Sequence, residues 1–239
     1  MIPMEVFYYD FPAPNLEKSK KFYKAVLGFD VGGGSLGGHV DNTTPKCGLS
    51  PGTTDTTHTM MYLTTFDLEK TMKDVEANGG KILEKKKFPG VGTCAFCLDP
   101  NGVNIAFMEP AAEVAEHAKS PKLGKEHGDL FFLSIPAKDA DKSRAFYGNV
   151  AGWKFGSVGS QGGQGVENLK GVAPGLGCGR EGSRIDLWFR VSKIQDSCKT
   201  VVEANGTAGP IFEAPEGTMS QCVDDQGVKF GLVEAAEGY

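Results

Sequence analysis

The spacing of apolar residues changes within the first fifty positions of the chain. Residues 5–13, EVFYYDFPA, are rich in aromatic and β-branched side chains and predict a strand. Over 16–27 apolar residues recur at helical spacing with lysines between them; Asn15 before them is a typical N-cap, and Gly28 after them is typical of the left-handed residue that ends a helix. The glycine-rich segments of 28–52 then predict short strands of a meander.

This order of elements returns three more times. The second copy opens with the strand HTMMYLTTF and the helix DLEKTMKDVEANGG, and three strands follow, the last two joined by a DPNG turn. The second half of the chain repeats both copies with GDLFFLSIPA, DADKSRAFYGNVAGW, IDLWFRVSKIQDSCKTVVEANGT and CVDDQGVKFGLVEAAE. The pattern therefore predicts an α+β fold of four βαβββ units, two in each half of the chain.

The segment between the halves breaks this pattern. Residues 110–125, PAAEVAEHAKSPKLGK, are rich in alanine and lysine and contain Ser-Pro, which predicts a linker with room for a short helix. A chain of 239 residues is long enough for two domains with a core each. We predict one module at 1–112, a linker at 113–126 and a second module at 127–239.

Charge and hydropathy argue against two classes of partner. The formal net charge is −5 and no stripe of lysine or arginine is sustained, which argues against nucleic acid. No stretch approaches the roughly 20 apolar residues that cross a bilayer, and the N-terminal residues lack the basic and apolar regions of a secretory signal. We therefore expect a cytoplasmic protein with neither a nucleic-acid nor a membrane partner.

The pair Cys94 and Cys97 forms a C-x-x-C, CAFC, inside a predicted strand. Side chains alternate along a strand, so two residues three positions apart face opposite sides. The six cysteines are also irregularly spaced and include no second C-x-x-C. The sequence predicts neither a zinc site nor a redox pair here.

The repeated pieces carry a resemblance to a known family. LEKSKKFYKAVLGF pairs with DKSRAFYGNVAGW, EANGG with EANGT, and the DPNG hairpin with DDQG. In this order the pieces resemble the vicinal oxygen chelate superfamily, which includes glyoxalase I, extradiol dioxygenases, and fosfomycin and bleomycin resistance proteins. The resemblance covers nearly the whole chain. It implies two glyoxalase-like modules, each with a curved, cup-forming mixed sheet made from two βαβββ units.

The resemblance also implies where a divalent metal would be held. Catalytic members usually carry His, Glu or Gln on the first, middle and last strands of a module. Counting from the shared motifs places these positions at Tyr8, Met60 and Ala106 in the first module and at Phe132, Leu187 and Gly231 in the second. None of the six is a good ligand for such a metal. We therefore predict no metal and no cofactor.

A displaced site in the first module stays open as an alternative. A slip of two residues keeps the same strand face. In the first module it offers Asp10, His58 and either Asn104 or Met108; in the second it offers Ser134, Ile185 and either Lys229 or Val233. The second set still provides no ligand group.

The predicted inward face is mainly aromatic, thioether and aliphatic. Such a lining suits a flat or amphipathic small molecule, with a few polar side chains to orient it. The same side chains could instead fill the cups as core. The candidate ligand-binding residues are Tyr8, Asp10, His58, Met60, Tyr62, Asn104, Met108, Phe132, Ser134 and Leu187. Phe189 and Val233 are expected on the same face of the second module.

Three functions compete at this stage. The first is a metal-independent protein that binds or sequesters a small organic molecule, as the antibiotic-binding members of the superfamily do. The second is a lyase, isomerase or oxygenase with Asp10 or His58 as base and Tyr8 as hydrogen-bond donor. The third is an interaction module with filled cups. A monomer is the default expectation, and a homodimer is the alternative.

Overall fold

The computed structural model describes residues 2–34, 37–119, 122–159 and 162–239. Predictions for 35, 36, 120 and 121 lie outside the described residues. The elements follow in the order β1 (Val6–Ala13), α1 (Leu16–Leu27), β2 (Val31–Gly34), β3 (Gly37–Val40), β4 (Cys47–Pro51), β5 (Met60–Thr64), α2 (Leu68–Ala77), β6 (Lys81–Phe88), β7 (Gly92–Leu98), β8 (Asn104–Pro110), α3 (Ala112–Lys119), β9 (Leu130–Ala137), α4 (Ala140–Ala151), β10 (Gly163–Gly165), β11 (Pro174–Cys178), β12 (Asp186–Arg190), α5 (Ile194–Glu203), β13 (Thr207–Ala214), β14 (Gly217–Val223) and β15 (Lys229–Ala235).

The strands form two curved, unclosed sheets. One has the order β2-β3-β4-β1-β5-β8-β7-β6 and the other the order β10-β11-β9-β12-β15-β14-β13. The order strand–helix–strands occurs four times, which confirms the predicted α+β fold of βαβββ units. In the third βαβββ unit the first strand after helix α4 is reduced to a bridge between Phe155 and Val166.

The caps of helix α1 are the ones that the sequence predicts. The side chain of Asn15 accepts a hydrogen bond from the backbone N–H of Lys18 at 3.2 Å. At the other end Gly28 adopts φ 72° and donates its N–H to the carbonyl of Lys24.

The chain divides into two compact units that each draw on both halves of the sequence. The first unit holds residues 1–9, 59–123 and 134–185, and the second holds 10–58, 124–133 and 186–239. Within the first unit α2 packs on α4, and within the second α1 packs on α5. The division into modules at 1–112 and 127–239 stays a prediction.

In the first unit the recurrent motifs meet in the core. The hydroxyl of Tyr147, from the FY motif of α4, donates to the carboxylate of Asp99, in the DPNG turn, at 3.1 Å. Next to it the amide of Asn101 donates to the hydroxyl of Ser143 at 2.8 Å. The motifs that identify the fold therefore hold two βαβββ units together.

No helix in the described part of the chain is both long and apolar enough to span a bilayer.

Candidate functional site

Strand register defines the face of the first unit that carries the predicted residues. Strands β5 and β8 pair Tyr62 with Ala106, and β8 and β7 pair Ala106 with Phe96. The next row joins Met108 to Cys94. Paired residues in adjacent strands point to the same side of a sheet, so these side chains share one face.

Four aromatic rings follow one another along this face, and we call them the aromatic row. The centroids of Tyr8 and Tyr62 are 5.6 Å apart, those of Tyr62 and Phe96 are 6.2 Å apart, and those of Phe96 and Phe88 are 6.4 Å apart. All three pairs meet edge to face, the geometry that the ring quadrupoles favour. The ammonium of Lys86 lies over the ring of Phe88, 5.5 Å from its centroid.

The small side chain of Ala106 allows two of these rings to meet. Strands β5 and β7 flank β8, so their residues are two strand spacings apart, roughly 9.6 Å. The rings of Tyr62 and Phe96 nevertheless come to 6.2 Å because both lean over the methyl group of Ala106. A larger side chain at 106 would separate them.

The two faces of this part of the sheet differ in exposure. On the opposite face the side chains of Met61, Leu63, Ile105, Phe107, Ala95 and Cys97 are each 0% exposed. The four rings of the aromatic row are only half-buried. One face is therefore core, and the other is an apolar surface that solvent still reaches.

Of the remaining predicted residues of the first unit, Met60, Asn104 and Met108 lie on β5 and β8, strands next to the row, whereas Ser134 lies on β9 in the other sheet. Met60 and Met108 are buried, and the thiol of Cys94 donates to the Met108 thioether at 3.6 Å. Asn104 is half-buried on the same face, opposite Leu98 in the register. Ser134 is buried, and its hydroxyl accepts from the guanidinium of Arg180 at 3.0 Å.

The CAFC motif has the predicted geometry. Cys94 lies beside Met108 on the face of the aromatic row, whereas Cys97 lies on the core face, near Glu76 of α2. Burial first, and then the charge of Glu76, raise the pKa of the Cys97 thiol to about 12. The two sulfurs point to opposite sides of the sheet.

Asp10 and His58, the two candidate bases, belong to the second unit. Both are half-buried. His58 closes the turn before β5, where its backbone N–H donates to the carbonyl of Asp55 at 3.1 Å.

In the second unit the corresponding face is filled by its own side chains. The indole of Trp188 lies so close over Gly231 that a Cβ at 231 would be 2.1 Å from the ring. Met219 and Val233 complete a buried cluster with Trp188. Phe131, the predicted Phe132 and Ala214 pack against this cluster.

The structure corrects the face assigned to Leu187. Gly79 after α2 has φ 82°, and its counterpart after α5 is Asn205 with φ 66°, whereas matching EANGG to EANGT letter by letter pairs Gly79 with Gly206. The letter match is therefore one residue out of register. Because side chains alternate along a strand, this slip moves a residue to the opposite face.

Trp188, not Leu187, shares the face of Gly231, with which it is paired between β12 and β15. Leu187 is buried on the other side. Phe189 lies on that side as well, where its ring contacts Phe11 and Phe230. The prediction that Leu187 and Phe189 share the inward face is wrong.

Comparison with known proteins agrees with this architecture. Residues 6–107 match the family model described as the Glyoxalase/Bleomycin resistance protein/Dioxygenase superfamily. This match confirms, for residues 6–107, the resemblance that the repeated motifs indicate. A search of curated protein sequences gives no match.

Solved structures with the same fold extend the likeness to the whole chain. A catechol 2,3-dioxygenase is 14% identical with a TM-score of 0.67, covering 100% of this chain and 91% of its own. The Mn(II)-bound glyoxalase from Novosphingobium aromaticivorans is 13% identical with a TM-score of 0.65, covering 98% and 82%. The 2,2',3-trihydroxybiphenyl 1,2-dioxygenase from Sphingomonas wittichii strain RW1 is 13% identical with a TM-score of 0.67, covering 98% and 91%. At these identities the likeness shows the fold alone.

The residues present do not fit the divalent metal that catalytic members of the superfamily hold. The three positions in the first module carry a phenol, a thioether and a methyl group, on Tyr8, Met60 and Ala106. Among the residues that the structure describes, no three His, Cys, Asp or Glu side chains come together as a metal site. The rings that close over Ala106 occupy the place where a ligand side chain of the last strand would project.

Two members of the aromatic row, Phe88 and Phe96, were missed by the sequence analysis. Phe96 could have been found from the alternation within CAFCL, because Cys94, Phe96 and Leu98 share a face in any regular strand. Phe88 carries no such signal, since its place depends on the register between β6 and β7, which shifts between Ile82 and Glu84.

Proposed function

We propose that this member of the superfamily binds a small, flat and largely apolar organic molecule against the aromatic row, without a divalent metal at the family's ligand positions. The observation that carries the proposal is the row of four half-buried rings opposite a fully buried face. Aromatic side chains provide large contact areas at low entropic cost, and edge-to-face rings offer their faces to a planar guest.

Polar groups at the ends of the row would orient such a molecule. The phenol of Tyr8 lies at one end, and the ammonium of Lys86 lies over Phe88 at the other. Asn104 adds an amide on the same face. This distribution suits an amphipathic ring system with a hydroxyl or a weakly acidic substituent.

The names of two structural relatives contain compounds of the same chemical class. Catechol and 2,2',3-trihydroxybiphenyl are flat, hydroxylated aromatic compounds, and each names a dioxygenase of this fold. The proposal for the present chain keeps the class of guest and leaves out metal-dependent ring cleavage, because Tyr8, Met60 and Ala106 provide no ligand set. We further infer a cytoplasmic protein that is a monomer or a homodimer, which light scattering after size exclusion would resolve.

The direct test is isothermal titration calorimetry of the full chain with 2,3-dihydroxybiphenyl. The titration is carried out before and after treatment of the protein with EDTA. We expect saturable binding that EDTA does not change. Tyr62→Ala and Phe96→Ala should each weaken binding by about tenfold, the equivalent of one lost aromatic contact. Phe212→Ala, which removes a partly exposed ring from the second unit, is the matched control and should bind as the wild type does.

Two results would overturn the proposal. One is the absence of binding for both 2,3-dihydroxybiphenyl and 2-naphthol. The other is binding that disappears with EDTA and returns with Mn²⁺, which would mean that a metal holds the guest.

A further inference from the structure

A polar cleft in the second unit lies apart from the aromatic row. It has a volume of about 250 Å³ and opens where β12 and β15 end. It is lined by Arg190 at the end of β12, by Val191 and Ser192 just after that strand, by Glu234 and Ala235 at the end of β15, and by Lys125 and His127 in the segment before β9.

Arg190 is the half-buried cation of this cleft. Its guanidinium lies 4.9 Å from the ring centroid of Phe131, which holds the planar group in place. Its Nε is buried and has no hydrogen-bond partner among the described residues. No carboxylate of the described chain pairs with this guanidinium either, so its fork of donors is available to a ligand.

Glu234 does not neutralise Arg190, because its carboxylate is already engaged. One oxygen accepts from the ammonium of Lys193 at 3.0 Å and the other from the backbone N–H of Ile194, the first residue of α5, at 2.8 Å. These two donors, the N–H of Ile194 first, lower the pKa of Glu234 and keep it ionised. Glu234 thus caps α5, whose N-cap Lys193 makes no side-chain capping bond.

His127 orders the wall of the cleft. Its Nε2 lies 3.0 Å from the carbonyl of Val26, and its Nδ1 accepts the backbone N–H of Ser192 at 3.3 Å. A carbonyl only accepts, so Nε2 carries the proton in this arrangement. The ring therefore ties the segment of Lys125 to the loop that follows β12, and the exposed Lys125 adds a second cation.

We propose that this cleft binds a small oxyanion, the carboxylate or phosphate group of a small acid, with Arg190 as the principal contact and Lys125 as the second. Arg190 and Lys125 bring positive charge to the cleft. The carboxylate of Glu234 does not neutralise this charge, because it is paired with Lys193. A planar guanidinium with open donors binds oxyanions in two-pronged geometry, and this geometry is stronger than a single neutral hydrogen bond. The proposal does not rest on the aromatic row, which belongs to the other unit.

The test is isothermal titration calorimetry of the full chain with inorganic phosphate and with acetate, at constant ionic strength set by sodium chloride. We expect saturable binding with a Kd in the range of about a millimolar for a bare ion. Arg190→Gln should weaken it by about tenfold or more, and Lys125→Gln by a few-fold. Lys154→Gln removes an exposed lysine from the first unit and is the control, expected to change nothing.

The use of two ions distinguishes a phosphate group from a carboxylate group as the part of the ligand that binds. Binding of phosphate alone assigns a phosphate group, and binding of both assigns a general oxyanion site. Absence of saturable binding for both ions overturns the proposal. If Arg190→Gln fails to fold, Arg190→Lys replaces it in the test. Binding that neither Arg190→Lys nor Lys125→Gln changes then overturns the proposal as well. Since 2,3-dihydroxybiphenyl is uncharged near neutral pH, its binding tests the aromatic row separately.

Discussion

The hydroxyl of Tyr23 donates a hydrogen bond to the carboxylate of Asp224, 201 positions further along the chain, at 3.0 Å. Tyr23 is completely buried on α1, and Asp224 lies in the DDQG turn, where it also accepts the backbone N–H groups of Gln226 and Val228 at 2.8 Å. The pair Tyr147 and Asp99 repeats this arrangement in the other unit. In this chain a hydrogen bond between side chains therefore joins an FY motif to a hairpin motif in each unit.

Removing the phenol hydroxyl should destabilise the fold without touching the aromatic row. Tyr23→Phe leaves a buried carboxylate with one donor fewer, and we expect the free energy of unfolding to fall by about 1–2 kcal/mol. Urea denaturation followed by circular dichroism measures this change. Tyr239→Phe, at an exposed position, is the control. Equal midpoints for Tyr23→Phe and wild type would show that the contact is not stabilising.

The same carboxylates predict a pH dependence. Burial raises the pKa of Asp224 and of Asp99 above the usual 3.8, against the opposing effect of their hydrogen bonds. Between 3.8 and the raised folded pKa the native state binds more protons than the unfolded state, so these groups add stability as pH falls through that window. Above the folded pKa this contribution is absent.

Asp224→Asn removes one such group while keeping a similar shape. We expect the unfolding free energy of the wild type to rise relative to that of Asp224→Asn as pH is lowered from 7 towards 4. Urea midpoints at several pH values measure it, with Asp196→Asn, on the exposed side of α5, as the control. A difference that stays constant with pH, or moves in favour of the variant, contradicts the assignment.

Gly231 is predicted to be intolerant of any side chain. A Cβ at 231 would lie 2.1 Å from the indole of Trp188, so Gly231→Ala must displace the ring from the cluster with Met219 and Val233. We expect a loss of about 1–3 kcal/mol in unfolding free energy and a red shift of tryptophan emission. Gly165→Ala is the matched strand control, since nothing lies within 4 Å of its Cβ position. Unshifted emission from a stable Gly231→Ala variant would contradict this packing.

Thiol reactivity should separate the cysteines by burial. Cys178 is half-buried, whereas the other five are buried, and burial raises the pKa values of Cys97 and Cys222 to about 12. We expect native protein to react with Ellman's reagent mainly at Cys178, and Cys178→Ser to remove that fast phase. Denatured protein should react at all six. Fast reaction of Cys97 in the Cys178→Ser variant would mean that the strand opens readily.

Local sequence signals were sufficient to predict those elements whose conformation depends on residues close in the chain. The caps of α1 and the alternation of β5 follow from backbone hydrogen bonding and from side-chain direction within a few residues, and Tyr62 of β5 is paired with Ala106 of β8. The repeated order of elements predicted the βαβββ architecture for the same reason.

The register of the second half needed the structure. Asn205 adopts the left-handed conformation that Gly79 adopts after α2, and asparagine is one of the few residues that tolerates it. The letters of the motif therefore matched while the backbone was offset by one residue. Because side chains along a strand alternate between two faces, an error of one residue places a side chain on the wrong face. This is why Leu187 was assigned to the side that Trp188 occupies.

The sequence by itself determined the elements and their order, because each rests on interactions between residues close in the chain. Tertiary structure alone decided which helix meets which hairpin, that two rings close over Ala106, and that Arg190, which has no carboxylate partner among the described residues, lines a cleft with Lys125. These features depend on contacts between distant segments, and local propensity does not specify which distant partner packs against a given side chain.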